Sequence, residues 1–145
     1  YRKHIGIVLH DETPFEGTIL ENITFGIQYS DEELKWILDT VQLTDFIKTL
    51  PDSLNTKIMS NGLLLSASNM QKIVLAKSLI TKPKILFLED PTDKIDSVSA
   101  QKIITTIMEN KNQTVVVNSK NDFWEKFAQR QITLNSGKIS NDIKL

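Results

Sequence analysis

A run of apolar residues that ends in two acids, Ile85–Leu88 followed by Glu89 and Asp90, constrains the fold of this chain most strongly. A continuous apolar run of this length is typical of a buried strand. A helix capped by Asp96 and a second apolar strand at 114–117 follow, so this half of the chain has the order β-α-β-α-β-β. This alternation predicts an α/β fold with a largely parallel sheet. Acids at the carboxyl end of a buried strand indicate a functional site.

The first half of the chain begins with another apolar run, Ile5–Leu9, which predicts a further buried strand. Ser30 and Glu33 form a capping box that starts the clearest helix. Its apolar residues recur at helical spacing: Leu34, Ile37, Leu38 and Val41. A shorter helix is predicted at 44–50. Residues 11–66 are therefore expected to carry helices and loops only, as a lobe separate from the sheet.

A third helix is expected to start near Ser68 and to end at Pro83. Its cap is either Ser66 or Ser68, and Ser68 would form a capping box with Gln71. Its apolar residues lie on most sides, which favours burial. The chain then closes with an Asn121-capped helix, a strand at 131–134, a turn at 135–137 and a short strand near Ile139.

Composition excludes several classes of function. With 17 basic and 18 acidic residues the net charge is −1, which disfavours general nucleic-acid binding. There is no Cys, so disulfides and thiolate metal sites are excluded, and the two His, His4 and His10, cannot complete a zinc site without carboxylates. The longest apolar run has five residues, whereas a membrane helix needs about 20. The chain is expected to be soluble itself and, since it begins at Tyr1, to be a fragment of a longer protein.

Five stretches follow one another along the chain: Ile5–Asp11 with Phe15–Ile23; Leu50-Pro51 with Gly62-x-x-Leu65-Ser66; Gln71–Leu79; Pro83–Thr92; and Ile95-Asp96. In this order they resemble the nucleotide-binding domain of an ABC transporter of the exporter type. The matching parts of that family are the Q-loop strand and its continuation, the approach to the signature, the helix after it, Walker B and the D-loop. Together they cover nearly the whole chain.

The resemblance implies a partial P-loop NTPase (RecA-like) core at 1–10 and 67–145, with an ABC-type helical subdomain at 11–66. It implies ATP and Mg²⁺ as cofactors. The implied partners are a second nucleotide-binding domain, in a homodimer or heterodimer, and the transmembrane domain of an exporter, which places the chain at the cytoplasmic face of a membrane. Asp96, in the D-loop, is implied to contact the nucleotide.

The phosphate-binding loop of the family is missing from the sequence. Such a loop needs G-x-x-x-x-G-K-[ST], because consecutive backbone N–H groups cradle the phosphates. The only Gly-Lys pair, Gly137-Lys138, is followed by Ile139. In the family this loop lies upstream of the point where this chain begins. The isolated chain is therefore expected to bind ATP weakly or not at all.

The signature departs from the family pattern, since it reads Leu65-Ser66-Ala67-Ser68-Asn69. Two glycines normally let the backbone close on the γ-phosphate held by the opposite subunit. Ala67 and Ser68 add Cβ atoms where that close approach is required. Two interpretations stay open: a retained phosphate contact through Ser66–Asn69, or a simple helix cap.

Further departures fall on the implied catalytic positions. Walker B of the family ends in Asp-Glu, where the Asp holds Mg²⁺ through water and the Glu polarises the attacking water. Here the order is exchanged, which implies Glu89 at the metal position and Asp90 as the catalytic base. His10 replaces the Q-loop Gln that contacts metal and water, and Ser119 replaces the switch His. Ser60 replaces a loop Glu and is interpreted as part of a plain exposed loop.

Three functions are compatible with these observations: a competent ATP-hydrolysing motor domain, a degenerate nucleotide-binding domain that hydrolyses poorly, and an interaction module on an ABC-type fold that binds no nucleotide. We favour the second. In the family, a strand lies between those corresponding to 114–117 and 131–134. Its absence here predicts a broken sheet with exposed edges.

Overall fold

The computed structural model describes residues 4–59 and 65–145; Ser60 and Gly62 lie outside the described residues. The strands are β1 (Ile5–Val8), β2 (Gly17–Thr18), β3 (Lys57–Ile58), β4 (Ile85–Glu89), β5 (Thr114–Asn118), β6 (Arg130–Asn135) and β7 (Lys138–Lys144). The helices are α1 (Ile19–Thr24), α2 (Asp31–Thr40), α3 (Thr44–Lys48), α4 (Ala67–Leu79) and α5 (Ser97–Glu109), with 3₁₀ turns at Ser53–Asn55 and Asp122–Phe127.

The central sheet has the order β1-β4-β5, and both pairings are parallel. Gly6 lies opposite Leu86, and Leu86 lies opposite Val115. The predicted α/β fold with a parallel sheet is confirmed. Because the strands run in the same direction, all three end at one edge of the sheet, and this edge carries the residues considered below.

Only one face of this sheet is buried. Leu86 is 0% exposed and belongs to one core with side chains of α4 and α5, whereas its neighbour Phe87 is 43% exposed. The expectation that β1 and β4 are buried as whole strands is therefore wrong for half of their side chains. The continuous apolar sequence predicts cover on both faces, but the helices in the described part of the chain pack on one.

Close packing explains the glycine in β1. A Cβ at Gly6 would lie 2.8 Å from Leu86 Cδ1 and 3.0 Å from the carbonyl oxygen of Ser78. The Ser78 hydroxyl donates to the carbonyl oxygen of Ile7 at 2.7 Å. Helix α4 therefore lies directly against β1, and any side chain at position 6 would force the two apart.

The segment between β1 and α4 holds helices joined by a small ladder. The capping box predicted at Ser30 and Glu33 is present, and a second one is formed by Thr18 and Glu21. Two residues of β2 pair antiparallel with two of β3. The expectation of helices and loops only in 11–66 is therefore wrong, because strands of two residues are too short to leave a periodic pattern.

Helix α4 begins at Ala67, within one residue of the predicted start. Of the two predicted caps, Ser66 is the N-cap, since the Ser66 hydroxyl accepts from the Asn69 N–H at 3.1 Å. The capping box predicted for Ser68 and Gln71 does not form, because the Gln71 side chain turns toward the residues after β4. None of the helices in residues 4–59 and 65–145 has both the length and the apolar character needed to cross a membrane.

The last two strands form a separate antiparallel hairpin, and β5 and β6 are not paired. The predicted break in the sheet is therefore confirmed. The final strand is longer than the short strand expected near Ile139, since β7 runs from Lys138 to Lys144. Asn121 caps the 3₁₀ turn before β6, as predicted from its sequence.

Candidate functional site

The carboxyl ends of the three parallel strands bring together side chains that are far apart in the sequence. His10 follows β1, Glu89 ends β4, and Asp90 and Asp93 lie in the turn that follows. We call these four residues the strand-end cluster. The structure thus joins three of the predicted site residues and adds Asp93, which the sequence analysis did not single out.

Glu89 contacts the strand beside it. Its Oε2 accepts from the backbone N–H of His10 at 3.3 Å. The carboxylate at the predicted metal position is therefore held against the chain leaving β1.

Asp90 has a left-handed backbone, with φ of 41°. Asp tolerates this conformation better than most residues. Its backbone N–H donates to the carbonyl oxygen of Asn118 at 2.8 Å, and its Oδ1 accepts from the Lys120 N–H at 3.0 Å. Asp90 is thus bonded through its main chain to Asn118, the last residue of β5, and through its carboxylate to Lys120, two residues further on.

The imidazole of His10 is surrounded by carboxylates. Nδ1 lies 3.8 Å from Asp90 Oδ2 and 3.8 Å from Asp93 Oδ2, and Nε2 lies 3.8 Å from Asp11 Oδ1. These distances exceed direct hydrogen bonds. Among the residues that the structure describes, Nδ1 has no hydrogen-bond partner although it is buried. The imidazole therefore lies beside Asp90 and Asp93 without a direct hydrogen bond from Nδ1 to either.

Gln71 is a site residue that the sequence analysis missed. It is 7% exposed, and its carboxamide bonds the turn after β4 at Asp90, Asp93 and Lys94. Its partners lie about 20 residues further along the chain, so no pattern of neighbouring residues in the sequence predicts the contact. The only signal was its position in the stretch Gln71–Leu79, which resembles the family.

The other predicted site residues make local bonds. The Ser119 hydroxyl accepts from the Asn121 N–H at 3.1 Å. Asp96 Oδ1 accepts from the Ser99 N–H at 2.9 Å, and this bond holds the pKa of the Asp96 carboxyl below its usual range. Both contacts shape the start of a helical turn. The predicted nucleotide contacts of Ser119 and Asp96 stay predictions.

The start of α4 supports the simple-cap interpretation with a direct contact. The Ser66 hydroxyl accepts from the Asn69 N–H, and Ala67 is the first residue of the helix. Ser68 and Asn69 follow within the same turn. A phosphate contact by Ser66–Asn69 stays a prediction.

The residues of this chain alone do not fit a complete Mg²⁺-ATP site. Within the described ranges, no group of three or more His, Asp or Glu side chains is arranged to hold a metal ion. The strand-end cluster carries three carboxylates, which repel a triphosphate, and the sequence has no glycine-rich phosphate loop. Any nucleotide at this edge needs phosphate-binding groups in addition to those present here.

Comparison with known proteins gives consistent matches. A family model described as ABC transporter matches residues 1–93. The chain is 34% identical over 121 residues to a multidrug resistance ABC transporter ATP-binding and permease protein of Lactococcus lactis subsp. lactis (strain IL1403), covering 80% of this chain and 20% of that protein. It is 40% identical over 120 residues to the ATP-dependent permease MDL1 of Candida albicans, covering 81% and 18%.

A solved structure also matches. The structure of a bacterial Atm1-family ABC exporter with ATP bound superposes with a TM-score of 0.89 at 26% sequence identity, covering 97% of this chain and 25% of that one. The chain spans about a fifth of the length of the curated relatives it matches.

Proposed function

We propose that this chain, which belongs to the ABC transporter family and corresponds to part of an exporter's nucleotide-binding domain, works within a transporter that couples ATP binding and hydrolysis to export. In this proposal the protein hydrolyses ATP poorly. Residues 1–10 and 67–145 form the partial nucleotide-binding core in this proposal, and residues 11–66 form the helical subdomain. A second nucleotide-binding domain and a transmembrane domain are the proposed partners, with this chain at the cytoplasmic face.

One observation carries the proposal of poor hydrolysis: the two acids at the end of β4 are exchanged in order and are both bound by the chain's own N–H groups. His10 N–H bonds Glu89, and Lys120 N–H bonds Asp90. A catalytic base must reach the proton of the attacking water, and a misplacement of about 1 Å costs on the order of 100-fold in rate. Asp90 is one methylene shorter than the Glu of the family.

Two further departures add to this effect. Ser119 is too short for the proposed switch role, and its hydroxyl accepts from the Asn121 N–H. The Ser66 hydroxyl caps α4, where Ala67 and Ser68 replace the two glycines of the family signature. In the proposed dimer, the strand-end cluster serves the nucleotide of this chain and the start of α4 serves the nucleotide of the partner. Each of the two nucleotide sites is therefore a composite site, built from both chains. This chain contributes residues that depart from the family pattern to both of them.

Hydrolysis by the full-length protein that carries this chain tests the proposal. We expect a turnover below about 0.1 per second with Mg²⁺-ATP, against about 1 to 10 per second for an ordinary exporter. The control is the Glu89→Gln/Asp90→Asn double variant, which should hydrolyse at nearly the same low rate. A wild-type turnover in the ordinary range, lost in the double variant, would show that the exchanged acids are competent.

Binding separates this proposal from the interaction module that uses no nucleotide. Isothermal titration of the full-length protein with Mg²⁺-ATP is expected to show saturable binding, while the 145-residue chain alone binds weakly or not at all. Absence of binding by the full-length protein favours the interaction module. Micromolar affinity of the isolated chain would contradict the conclusion that its own residues do not complete the site.

A further inference from the structure

The carboxamide of Gln71 is buried and fully used. Its Nε2 donates to the carbonyl oxygen of Asp90 at 3.1 Å and to Asp93 Oδ1 at 2.5 Å, while its Oε1 accepts from the Lys94 N–H at 2.9 Å. A buried amide with both donors and its acceptor satisfied is held in one orientation. Gln71 therefore ties the first turns of α4 to the turn after β4.

The tied turn is the one that carries the predicted catalytic acid. Asp90 has a left-handed φ and its carboxylate accepts from the Lys120 N–H, while the Gln71 amide donates to the carbonyl oxygen of the same residue. Asp93, the second acceptor of the amide, also lies 3.8 Å from His10 Nδ1 through its other oxygen. Gln71 thus touches two of the three acids in the strand-end cluster.

We propose that Gln71 is a positioning residue: its carboxamide sets where the Asp90 and Asp93 carboxylates lie and transmits displacement of the α4 N-terminus to the strand-end cluster. Its relevance to hydrolysis rests on the proposed function. Since the start of α4 faces the partner's nucleotide in that proposal, Gln71 links the two composite sites through three hydrogen bonds.

Amide hydrogen exchange in the nucleotide-free chain, read residue by residue by NMR, tests this without any hydrolysis assay. Gln71→Leu should lower protection at least about tenfold at the Lys94 N–H, because this N–H loses its acceptor. Protection should also fall at the Lys120 N–H, which does not contact Gln71 but donates to the Asp90 carboxylate. The matched control is Gln113→Leu, which removes a side-chain amide bond to the Pro83 carbonyl oxygen. This control should leave both amides unchanged.

The result at Lys120 decides between positioning and local capping. Faster exchange at Lys94 with an unchanged Lys120 would mean that Gln71 only caps the turn, and the proposal would fail. Because no nucleotide is present, this outcome is separate from failure of the proposed function, which is seen in turnover and ATP binding.

A milder pair of variants gives a second test that also holds if Gln71→Leu loses protection throughout the chain. Gln71→Glu replaces the donor to the Asp90 carbonyl oxygen with an acceptor, whereas Asp93→Asn leaves that bond in place. Gln71→Glu should therefore speed exchange at Lys120 at least about tenfold, and Asp93→Asn should change it less than about threefold. Unchanged exchange at Lys120 in Gln71→Glu would overturn the proposal.

Discussion

The buried face of the central sheet and the edge at the carboxyl ends of its strands come from the same three strands. They differ in how far their residues depart from the family pattern. On the face, Val8, Leu86 and Leu88 keep the dense apolar packing expected from the sequence. At the edge, the acids of β4 stand in exchanged order and hold backbone N–H groups of their own chain. In a packed core, adding or removing a single methylene changes the free energy of unfolding. At a solvent-exposed edge, replacing one polar residue by another changes it little. Packing therefore accounts for the buried face, whereas the altered chemistry that we propose for the edge depends on the order of its two acids.

The largest effect is expected on the buried face. Leu86→Ala should lower the free energy of unfolding by about 3 kcal/mol, because a fully buried side chain leaves a cavity. Its control is Phe87→Ala on the opposite face of the same strand, which should cost less than about 1 kcal/mol. Urea unfolding followed by circular dichroism measures both. Equal losses would show that the two faces do not differ.

The start of α4 gives an intermediate effect. Ser66→Ala should lower the free energy of unfolding by about 1 kcal/mol, because the Asn69 N–H loses its cap. Ser68→Ala, two residues later, should change it by less than about 0.5 kcal/mol. A larger loss from Ser68→Ala than from Ser66→Ala would show that Ser68 is the cap of α4.

The smallest effect depends on pH and concerns Asp96, beyond the edge. The Ser99 N–H lowers the pKa of this carboxyl in the folded protein, so its contribution is complete above its ordinary pKa of 3.8 and is lost as the pH falls through the lower folded value. Asp96→Ala should therefore lower the melting temperature at pH 7 and have less effect near pH 2.

Asp96→Asn is the matched control for this titration, since Asn caps helices without a charge. Its melting temperature should stay near that of wild type at pH 7. The difference between the Asn and Ala variants should not vary with pH. A pH-independent difference between wild type and Asp96→Ala would mean that the carboxylate charge does not contribute to the cap.

Local signals in the sequence predicted much of this fold. The capping box of Ser30 and Glu33 and the caps at Asp96 and Asn121 each depend on residues two or three positions apart, and all form as predicted. The parallel direction of the strands followed from the β-α-β alternation, whereas their order in the sheet was not predicted. At Ser66 and Ser68 the local signal was ambiguous, because either hydroxyl could cap a helix and the choice depends on where Gln71 bonds.

The features that were not predicted depend on distant partners. The bond from Gln71 to Asp93 joins residues 22 positions apart, and the ladder of β2 with β3 joins residues about 40 apart. The exposure of Phe87 depends on which helices cover the sheet, and an apolar run does not reveal that. The contacts that bind Glu89 and Asp90 to the chain likewise arise only when the three strand ends meet.

The central claim is that the strand-end cluster supports ATP hydrolysis poorly although the fold is kept. Its most direct test is the ATP turnover of the full-length protein that carries Glu89→Asp, Asp90→Glu and Ser119→His together. Hydrolysis needs a base and fixed donors at once, so the three changes should act as a unit. We predict at least about a tenfold rise in kcat for the triple variant and less than about threefold for any single one. A triple variant no faster than wild type, or a wild type that already turns over about 1 to 10 times per second, would contradict the claim.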